Sequence, residues 1–296
     1  MAEQVQRIPL SESVEVSVII PHFYQDRVEN FDALIADIRS QTFKSLEIIV
    51  VNSVSPQGRA INLGFNAAKG DLWIVMDDDS RVGHERVIEN LVRIVREMPK
   101  VGMAGASVLS PPEANSFQKK AALQFPRFNM PVVKEVIDSD MPCHGCAIFR
   151  PEVLRAVGME RENILRGLDP DLRVRIRKAG FRVVLVPETW VYHPLPESFS
   201  KFVRTFFRNG YGAAYIQKFH PEINYDTDEK IELSGFIAKR PLWYRALRYP
   251  VRLIQSLVKL EWIRFSGYAV YVFGYLWGVV QFYLLRISPI KPAAKV

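Results

Sequence analysis

The sequence predicts an α/β fold in which a doubly wound, mostly parallel sheet carries helices on both faces. Apolar runs long enough for buried strands alternate with stretches of helical spacing in the first two thirds of the chain. Short turns join these elements, as expected for parallel strands linked through helices. Polar side chains follow several strands, at the carboxyl edge where such sheets bind ligands. At 296 residues and 48% hydrophobic content, the chain is long enough for one such domain with additional helices.

The first half of the chain alternates strands and helices after a predicted flexible lead, residues 1–13. This lead lacks the apolar region that is typical of a signal peptide. The folded domain is expected to begin at residue 14. Its apolar spacing predicts three buried strands and two helices: strands at 14–21, 46–51 and 72–76, helices at 28–41 and 58–69.

The second half of the predicted domain, which ends at residue 197, is less regular. Residues 84–97 have helical spacing, and residues 101–109 predict a strand. The proline-rich residues 110–142 predict a long loop, of a length that suits a mobile lid. Residues 143–149 return to the character of a buried strand.

Three consecutive acidic residues, Asp77, Asp78 and Asp79, follow the strand at 72–76. Carboxylates brought together at the end of a strand repel one another and lose hydration, so a cation should share the site. Oxygen ligands suit a hard divalent ion such as Mg²⁺ or Mn²⁺, which commonly bridges to substrate phosphates. The alternative is a solvated acidic turn in which Ser80 caps the next helix.

A helix is expected over residues 169–180. Pro170 suits its first position, Asp169 its N-cap, and Gly180 its end. An N-cap of this kind contributes about 0.5–2 kcal/mol of stability. The structural interpretation of Asp169 is therefore a helix cap.

Together these residues resemble the family 2 glycosyltransferases of the GT-A fold. The resemblance covers about residues 14–215 and rests on the order and spacing of motifs that are each weak alone. The motifs are residues 18–21, 40–43, 62–70 leading into Asp77-x-Asp79, Gly145, the helix at 169–180, and His193.

The resemblance implies a nucleoside diphosphate sugar as donor and a divalent ion, Mg²⁺ or Mn²⁺, on its diphosphate. Asp79 matches a metal ligand, whereas Asp77 and Asp78 match residues that contact the metal or the ribose. His193 matches a position that often supplies a metal or diphosphate ligand, although a lone histidine after a strand is also a common structural residue. A bound ion would neutralise the charge on the leaving nucleoside diphosphate.

The resemblance also implies that Asp169 is the general base, which takes the proton of the acceptor hydroxyl during an inverting transfer. Asp171, two residues further along the helix, is the alternative base. Leu168 stands where the family usually has a glutamate before the catalytic aspartate. This departure leaves the transfer chemistry in place.

Contacts to the nucleotide sugar are expected from Pro21, Phe23, Asn52 and Arg59, by the same match. Asn52 ends the second strand, where the family usually has an aspartate. An asparagine still donates and accepts hydrogen bonds but lacks the charge-assisted one. The base of the nucleotide therefore stays open.

Contacts to the acceptor or the diphosphate are expected from His144, Gly145, Arg204 and Arg208. Cys143 and Cys146 flank the first two of these residues, but the chain has no second cysteine pair for a metal or redox motif. We favour a role in which Gly145 lets the acceptor approach the backbone closely.

The net charge is concentrated in the last third of the chain, with −1 over residues 1–195 and +8 over residues 196–296. Such a basic tail indicates an anionic partner. Residues 198–240 predict a basic and aromatic interface helix with a linker, and residues 241–296 predict membrane-associated amphipathic and hydrophobic helices. The uncharged residues 265–285 leave three arrangements open: a transmembrane or re-entrant helix, an in-plane or hairpin helix, or a core helix.

The sequence thus predicts a metal-dependent, inverting glycosyltransferase that moves a single sugar to a membrane-associated, polyprenyl-linked acceptor. Its partners would be the sugar donor, the acceptor and the membrane, not nucleic acid. The catalytic domain is expected at the cell membrane on its cytoplasmic side, since two cysteines fit a reducing compartment. The alternatives are a non-catalytic membrane scaffold or binding module on the same fold and, less favoured, a nucleotidyltransferase.

Overall fold

A nine-stranded mixed sheet forms the centre of the protein in the computed structural model, which describes residues 4–23, 28–125, 129–223 and 241–287. Eight strands follow the order β1-β3-β2-β4-β8-β6-β9-β5, and β7 pairs with β9. The strands are β1 Val5–Pro9, β2 Val16–His22, β3 Leu46–Asn52, β4 Leu72–Val75, β5 Arg81–Val82, β6 Val101–Leu109, β7 Ile137–Asp138, β8 Ala147–Phe149 and β9 Arg182–Tyr192.

Nine α-helices lie in the described ranges, close to most of the predicted positions. They are α1 Val28–Arg39, α2 Gln57–Ala67, α3 Val87–Glu97, α4 Ser116–Gln124, α5 Pro151–Val157, α6 Leu168–Lys178, α7 Phe199–Phe219, α8 Leu242–Val258 and α9 Trp262–Val279. A 3₁₀ turn follows α7, and a π-helical turn, Val280–Leu284, continues α9.

The sheet is mixed, which corrects the prediction of a mostly parallel one. Strands β2, β3, β4, β6 and β9 run in one direction, as predicted. Strand β8 lies antiparallel between β4 and β6, and β1, β5 and β7 are antiparallel to their neighbours. Because β8 is reversed, it begins at the edge where the parallel strands end. Residues 143–146 therefore reach the ligand-binding edge.

The predicted flexible lead, residues 1–13, is wrong for residues 5–9, which form strand β1. This strand pairs with β3, with Val5 opposite Val51 and Pro9 opposite Glu47. Arg7 forms an ion pair with the buried carboxylate of Glu47. The pairing satisfies the backbone groups along one edge of β3, which explains why a short polar segment is ordered there.

Apolar side chains fill both faces of the sheet because alternate residues along each strand point to opposite sides. One core contains Val18, Ile20 and Ile48 with helices α1 and α3. The other contains Ile19 and Ile49 with residues of α2, α5, α6 and α7. Helices on both faces confirm the predicted doubly wound arrangement.

Residues 110–142, predicted as a loop, contain α4 and β7. Asn115 caps α4 in a capping box with Gln118. The same two side chains donate to the carbonyls that follow β9: Gln118 Nε2 to Leu195 at 2.6 Å and Asn115 Nδ2 to Glu197 at 2.8 Å. Helix α4 therefore holds the segment behind His193.

The other end of α4 is fastened to α9. The Arg264 backbone N–H donates to Gln124 Oε1 at 2.8 Å. Ile263 packs against a small cluster of Ala121, Ala122 and Leu195. The start of α9, α4 and the residues after β9 thus form one connected unit.

Helices α7 and α9 pack closely along each other through glycines. A Cβ atom at Gly210 would collide with the Tyr271 carbonyl, and one at Gly274 would collide with the Phe207 carbonyl. Glycine at these positions lets the two backbones touch. The glycines of the uncharged stretch therefore serve helix packing within this protein.

Two aromatic residues of α7 point inward, whereas the prediction of an interface helix over residues 198–240 stays a prediction. Phe202 and Phe206 are buried, and both rings contact Phe125. Further along α7, Ala214 and Tyr215 join the main core. The linker predicted beyond α7 lies largely outside the described residues, since residues 224–240 are not among them.

Among the described residues, no helix is both long and apolar enough to cross a membrane. A spanning helix, one arrangement expected for residues 265–285, is therefore not found there.

Helix α8 turns its apolar residues outward. Trp243, Leu247, Val251, Ile254 and Val258 are 51% to 77% exposed, and their spacing places them on one stripe. On the inner side, Arg252 and Ser256 are only 7% and 1% exposed. The Arg252 guanidinium lies 5.5 Å from the Tyr268 ring centroid. This distribution is the reverse of a helix that packs on a water-soluble core.

Candidate active site

Asp77, Asp79 and His193 meet at the carboxyl edge of the sheet. The two aspartates follow β4, and His193 follows β9. Strand β5, directly after the acidic residues, pairs with the end of β9, so that Arg81 lies opposite Tyr192. This pairing brings residue 79 beside residue 193, although β8 and β6 separate β4 from β9 in the sheet.

The three side chains offer ligand atoms that all lie within 4.8 Å of one another. His193 Nε2 is 3.2 Å from Asp79 Oδ1 and 3.9 Å from Asp77 Oδ2. Two carboxylates and one imidazole suit Mg²⁺ or Mn²⁺ at the oxygens, and Mn²⁺ more readily at the nitrogen. The chemistry of these donors fits a divalent ion.

The charge on Asp77 is poorly compensated within the protein. Loss of hydration raises the pKa of Asp77 to about 6, with the Asp79 and Asp169 carboxylates adding to the rise and His193 and His144 opposing it. Gln57 Nε2, at the start of α2, donates to Asp77 Oδ1 at 3.0 Å. A cation bound beside Asp77 would relieve the remaining cost of its charge.

Asp78 points to a different partner. It is 5% exposed, and its Oδ2 lies 2.9 Å from His22 Nδ1. The His22 ring stacks on Phe31, with centroids 4.5 Å apart. Asp78 thus lies outside the Asp77, Asp79 and His193 cluster, and the structure gives it a role in fixing the end of β2.

Asp169 is not the N-cap of α6, which corrects the helix-cap interpretation. The helix begins one residue earlier, at Leu168, and its N-cap is Gly167 in the left-handed region with φ of 91°. Asp169 Oδ1 instead accepts a hydrogen bond from the backbone N–H of His144 at 2.7 Å. The Asp169 side chain is 30% exposed, so it is open to solvent at the edge of the sheet.

His144 is buried behind Asp169, which corrects the prediction that it contacts the acceptor or the diphosphate. Its Nδ1 lies 3.1 Å from Asp169 Oδ1, and its Nε2 lies 2.9 Å from Glu160 Oε1. Burial lowers the pKa of His144, but the carboxylates of Asp169 and Glu160 outweigh it and raise the pKa to about 10. The ring therefore faces a carboxylate oxygen on each side, an arrangement that favours its protonated form.

Asp171, the alternative base, has a structural role. Its side chain is fully buried and forms ion pairs with Arg175 at 2.7 Å and with Arg161 at 3.4 Å. A buried carboxylate with two guanidinium partners has no access to an acceptor. The prediction of Asp171 as a base is wrong for this structure.

The predicted donor contacts lie at the same edge of the sheet. Pro21 and Asn52 stand near the ends of neighbouring strands, where Pro21 is opposite Val51 and Asn52 is opposite His22. The Phe23 side chain is 47% exposed just after β2, and Arg59 is exposed near the start of α2. Their contacts to a nucleotide sugar stay a prediction.

The remaining predicted contacts differ in their surroundings. A Cβ at Gly145 would meet only ordinary contacts, the nearest being Cys143 Sγ at 3.5 Å, so packing does not demand a glycine there. Arg204 and Arg208 are exposed along α7. Whether these three residues contact an acceptor stays a prediction.

The two cysteines have no reactive character. Both are free thiols; burial, followed by the Asp169 carboxylate, raises the pKa of Cys143 to about 12. Burial also raises the pKa of Cys146. A raised pKa disfavours the thiolate, which is the reactive form of cysteine.

Sequence reasoning missed three residues that support the site. Glu160 and Gln57 hold His144 and Asp77, as described above. The Asn62 side chain fixes the backbone of Glu160 from both sides: its Nδ2 donates to the Glu160 carbonyl at 2.9 Å, and its Oδ1 accepts from the Glu160 N–H at 3.0 Å. Asn62 belongs to the motif at 62–70, but Glu160 lies in no motif and lacked any sequence indication.

The glycosyltransferase-like family 2 model matches residues 7–212. No curated protein sequence matches the chain. Among solved structures, the mannosyltransferase PcManGT from Pyrobaculum calidifontis, in complex with GDP-Man and Mn²⁺, is 14% identical with a TM-score of 0.57. That similarity covers 91% of this chain and 89% of the other. The Staphylococcus aureus TarS fragment 1–349 with UDP-GlcNAc is 13% identical over 92% of each chain, with a lower TM-score of 0.47.

The similarity to PcManGT agrees with the observed α/β sheet and confirms the predicted GT-A fold. The family model spans more than two thirds of the chain and includes all of the residues gathered at the sheet edge. The chain therefore belongs to the glycosyltransferase-like family 2.

Proposed function

We propose that the protein transfers one sugar, with inversion, from a nucleoside diphosphate sugar to a hydroxyl of a membrane-associated acceptor. One observation carries this proposal. The cluster of Asp77, Asp79 and His193 lies at the same edge of the sheet as the solvent-accessible carboxylate of Asp169. A metal-binding group beside a candidate base is what such a transfer requires.

Asp77, Asp79 and His193 would hold the divalent ion, Mg²⁺ or Mn²⁺. When bound, this ion neutralises charge on the departing nucleoside diphosphate. Gln57 keeps one oxygen of Asp77 oriented, and β5 keeps His193 beside Asp79. The donor complex of PcManGT contains GDP-Man and Mn²⁺, which supports a sugar nucleotide and a divalent ion as the classes of ligand.

Asp169 would act as the general base. The acceptor O–H bond breaks as its oxygen forms a bond to the anomeric carbon, and the proton moves to Asp169. The bond from the anomeric carbon to the diphosphate oxygen breaks on the opposite side. Since Asp169 does not cap α6, its carboxylate is available for this step.

The outward apolar face of α8 supports a membrane surface as the partner that presents the acceptor. Helix α9 and the turn after it also carry exposed apolar residues, among them Phe273, Trp277 and Leu284. The chain from residue 196 onward carries a net charge of +8, which complements anionic headgroups. We assign the face to a lipid surface, on the cytoplasmic side of the cell membrane, with a polyprenyl-linked acceptor.

The first experiment measures thermal unfolding of the purified protein with a panel of nucleoside diphosphate sugars, with and without Mn²⁺ or Mg²⁺. A ligand that binds only the native state raises the unfolding temperature. We expect one donor to do so only with the metal, and turnover of that donor with a lipid-linked acceptor. Absence of any shift and of any turnover would favour a non-catalytic binding module instead.

The second experiment measures flotation with vesicles that contain anionic lipid. Leu247→Glu and Ile254→Glu place charges on the proposed lipid face and should each weaken binding several-fold, since burying a charge in the interface is costly. Lys100→Gln makes the same change in net charge and serves as the control. Lys100 lies in an exposed turn that is distant from α8 in the sequence. Equal binding by all of these variants would refute the lipid face.

A further inference from the structure

We propose that His144 is a positioning residue that holds Asp169 in its catalytic orientation, and that the buried Glu160 in turn holds His144. The three side chains would form one series of contacts that runs from the interior to the open edge of the sheet. This inference rests on the proposed function, since it assumes that Asp169 is the base.

Both contacts from His144 to Asp169 are made with the same carboxylate oxygen. His144 contacts Oδ1 twice, through its backbone N–H at 2.7 Å and with its ring Nδ1 at 3.1 Å. Two contacts on one oxygen fix the rotation of the carboxylate, because the plane of the group can then turn little. We assign the other oxygen, Oδ2, to the acceptor proton.

The surroundings of His144 favour two ring protons. Each ring nitrogen faces a carboxylate oxygen, Asp169 Oδ1 on one side and Glu160 Oε1 at 2.9 Å on the other. With both carboxylates ionised, Nε2 donates a hydrogen bond to Glu160, and a second proton on Nδ1 gives the ring the positive charge that pairs with Asp169. Asp77 is a more distant negative group that acts in the same sense.

Glu160, at the inner end of this series of contacts, is held firmly in place. The Glu160 side chain is fully buried, and the two hydrogen bonds from Asn62 fix its backbone. A buried carboxylate is costly unless it is paired with a cation and hydrogen-bonded. His144 is the cation that Glu160 faces, so the pair explains why an acidic residue is tolerated there.

The arrangement has a consequence for the chemical step. When Asp169 takes the acceptor proton on Oδ2, its charge is lost and the imidazolium keeps both of its protons. Glu160 then still pairs with His144, so no isolated positive charge remains in the interior. The orienting role is similar to that of the aspartate behind the histidine of a serine protease triad, with the residue types exchanged.

The test compares Glu160→Gln with the double variant His144→Gln/Glu160→Gln. His144→Gln alone would leave the Glu160 charge buried and unpaired, whereas the double variant removes both charges and should fold. We expect kcat to fall about 10–100-fold in both, the range found when partners that orient a catalytic group are removed. The donor KM should change less than twofold, and the acid limb of the kcat–pH profile should move to higher pH, because Asp169 loses its cation.

His84→Gln provides the control. His84 also uses a ring nitrogen, since its Nε2 donates to the Glu188 carbonyl at 2.9 Å, but it lies outside the candidate site. It should keep the wild-type kcat and pH profile. A folded double variant with the wild-type kcat and an unshifted profile would overturn the proposal.

A second readout does not depend on turnover. In ¹⁵N spectra of histidine-labelled protein at pH 8, both ring nitrogens of His144 should be protonated in the wild type, and Glu160→Gln should lose this pattern. A neutral His144 in the wild type would overturn the proposal. Absence of wild-type turnover, in contrast, would overturn the proposed function without changing the spectrum.

Discussion

The carboxylates at Asp77 and Asp79 and the carboxylate at Asp169 occupy the same edge of the sheet but have different neighbours. Asp77 has Asp79 close by, and loss of hydration with this second charge raises the pKa of Asp77 to about 6. Asp169 has the ring of His144, whose pKa is raised to about 10 by the carboxylates of Asp169 and Glu160, so that the fold favours a positive charge there. The pair of Asp77 and Asp79 is suited to bind a cation from solution. Asp169 does not need one, because it already has His144 as its partner. Identical side chains thus gain different chemistry from their surroundings.

Asp169→Asn should give the largest effect and should separate the two regions most clearly. Because the amide cannot accept the acceptor proton, kcat should fall by about 10²–10⁴-fold. The metal-dependent stabilisation by the donor should stay within about twofold of the wild-type affinity. Steady-state kinetics and thermal unfolding measure the two quantities, and a variant that retains most of its turnover would exclude Asp169 as the base.

Asp79→Asn should have the opposite pattern, with loss of metal binding before any other defect. Loss of a partner behind a metal ligand costs about 10–100-fold in affinity, so loss of the ligand itself should cost at least that much. Calorimetric titration with Mn²⁺ checks the prediction. Asp71→Asn removes an exposed carboxylate in the turn before β4 and should bind the ion normally. Equal affinities in the two variants would contradict the assignment of Asp79.

Metal affinity should depend on pH in a window set by Asp77. The ion competes with a proton at this carboxylate, whose pKa is raised to about 6 by loss of hydration and by Asp79. Affinity should therefore fall about tenfold for each pH unit below 6 and level off above 7. Titrations between pH 5 and 8 test this, and a constant affinity across that range would count against Asp77 as a ligand.

Asp77→Asn should produce the smallest effect, a gain in stability of the metal-free protein. The pKa of Asp77 is raised from its ordinary value of 3.8 to about 6 in the folded protein. Ionisation of this carboxyl therefore lowers the stability of the fold as the pH rises from about 3.8 to about 6. The side chain is 27% exposed, so screening reduces the effect to about 1 kcal/mol at pH 8. Chemical unfolding at pH 8 and pH 4 should show the gain only at pH 8. A loss of stability at pH 8 would show that the negative charge is compensated already.

Much of the fold and of the Asp77, Asp79 and His193 cluster could be predicted because their determinants are local. Apolar runs located β3, β6 and most helices to within a few residues. The match of the acidic residues and His193 to the family motifs predicted a group of side chains that the structure does bring together. Short motifs predict such a group because the apolar runs show where each strand ends, and the site residues directly follow those ends.

The parts that could not be predicted depend on contacts between distant segments. Glu160 is 16 residues from His144, and only the reversed direction of β8 places His144 near it and near Asp169. Asp169 resembled a helix cap because Pro170 follows it, but the helix starts earlier through the left-handed Gly167. The aromatic face of α7 resembled a membrane interface, because a single sequence does not reveal that α9 covers it.

Helix α4 has a thermodynamic consequence beyond its place in the fold. It hydrogen-bonds to Leu195, two residues after His193, and to Arg264 at the start of α9. A ligand at the C-terminal helices and an ion at the proposed site would therefore each bind beside a segment that α4 contacts. If a ligand at α9 distinguishes two placements of α4, it changes the affinity for the ion by a certain factor, and the ion must change the affinity for that ligand by the same factor.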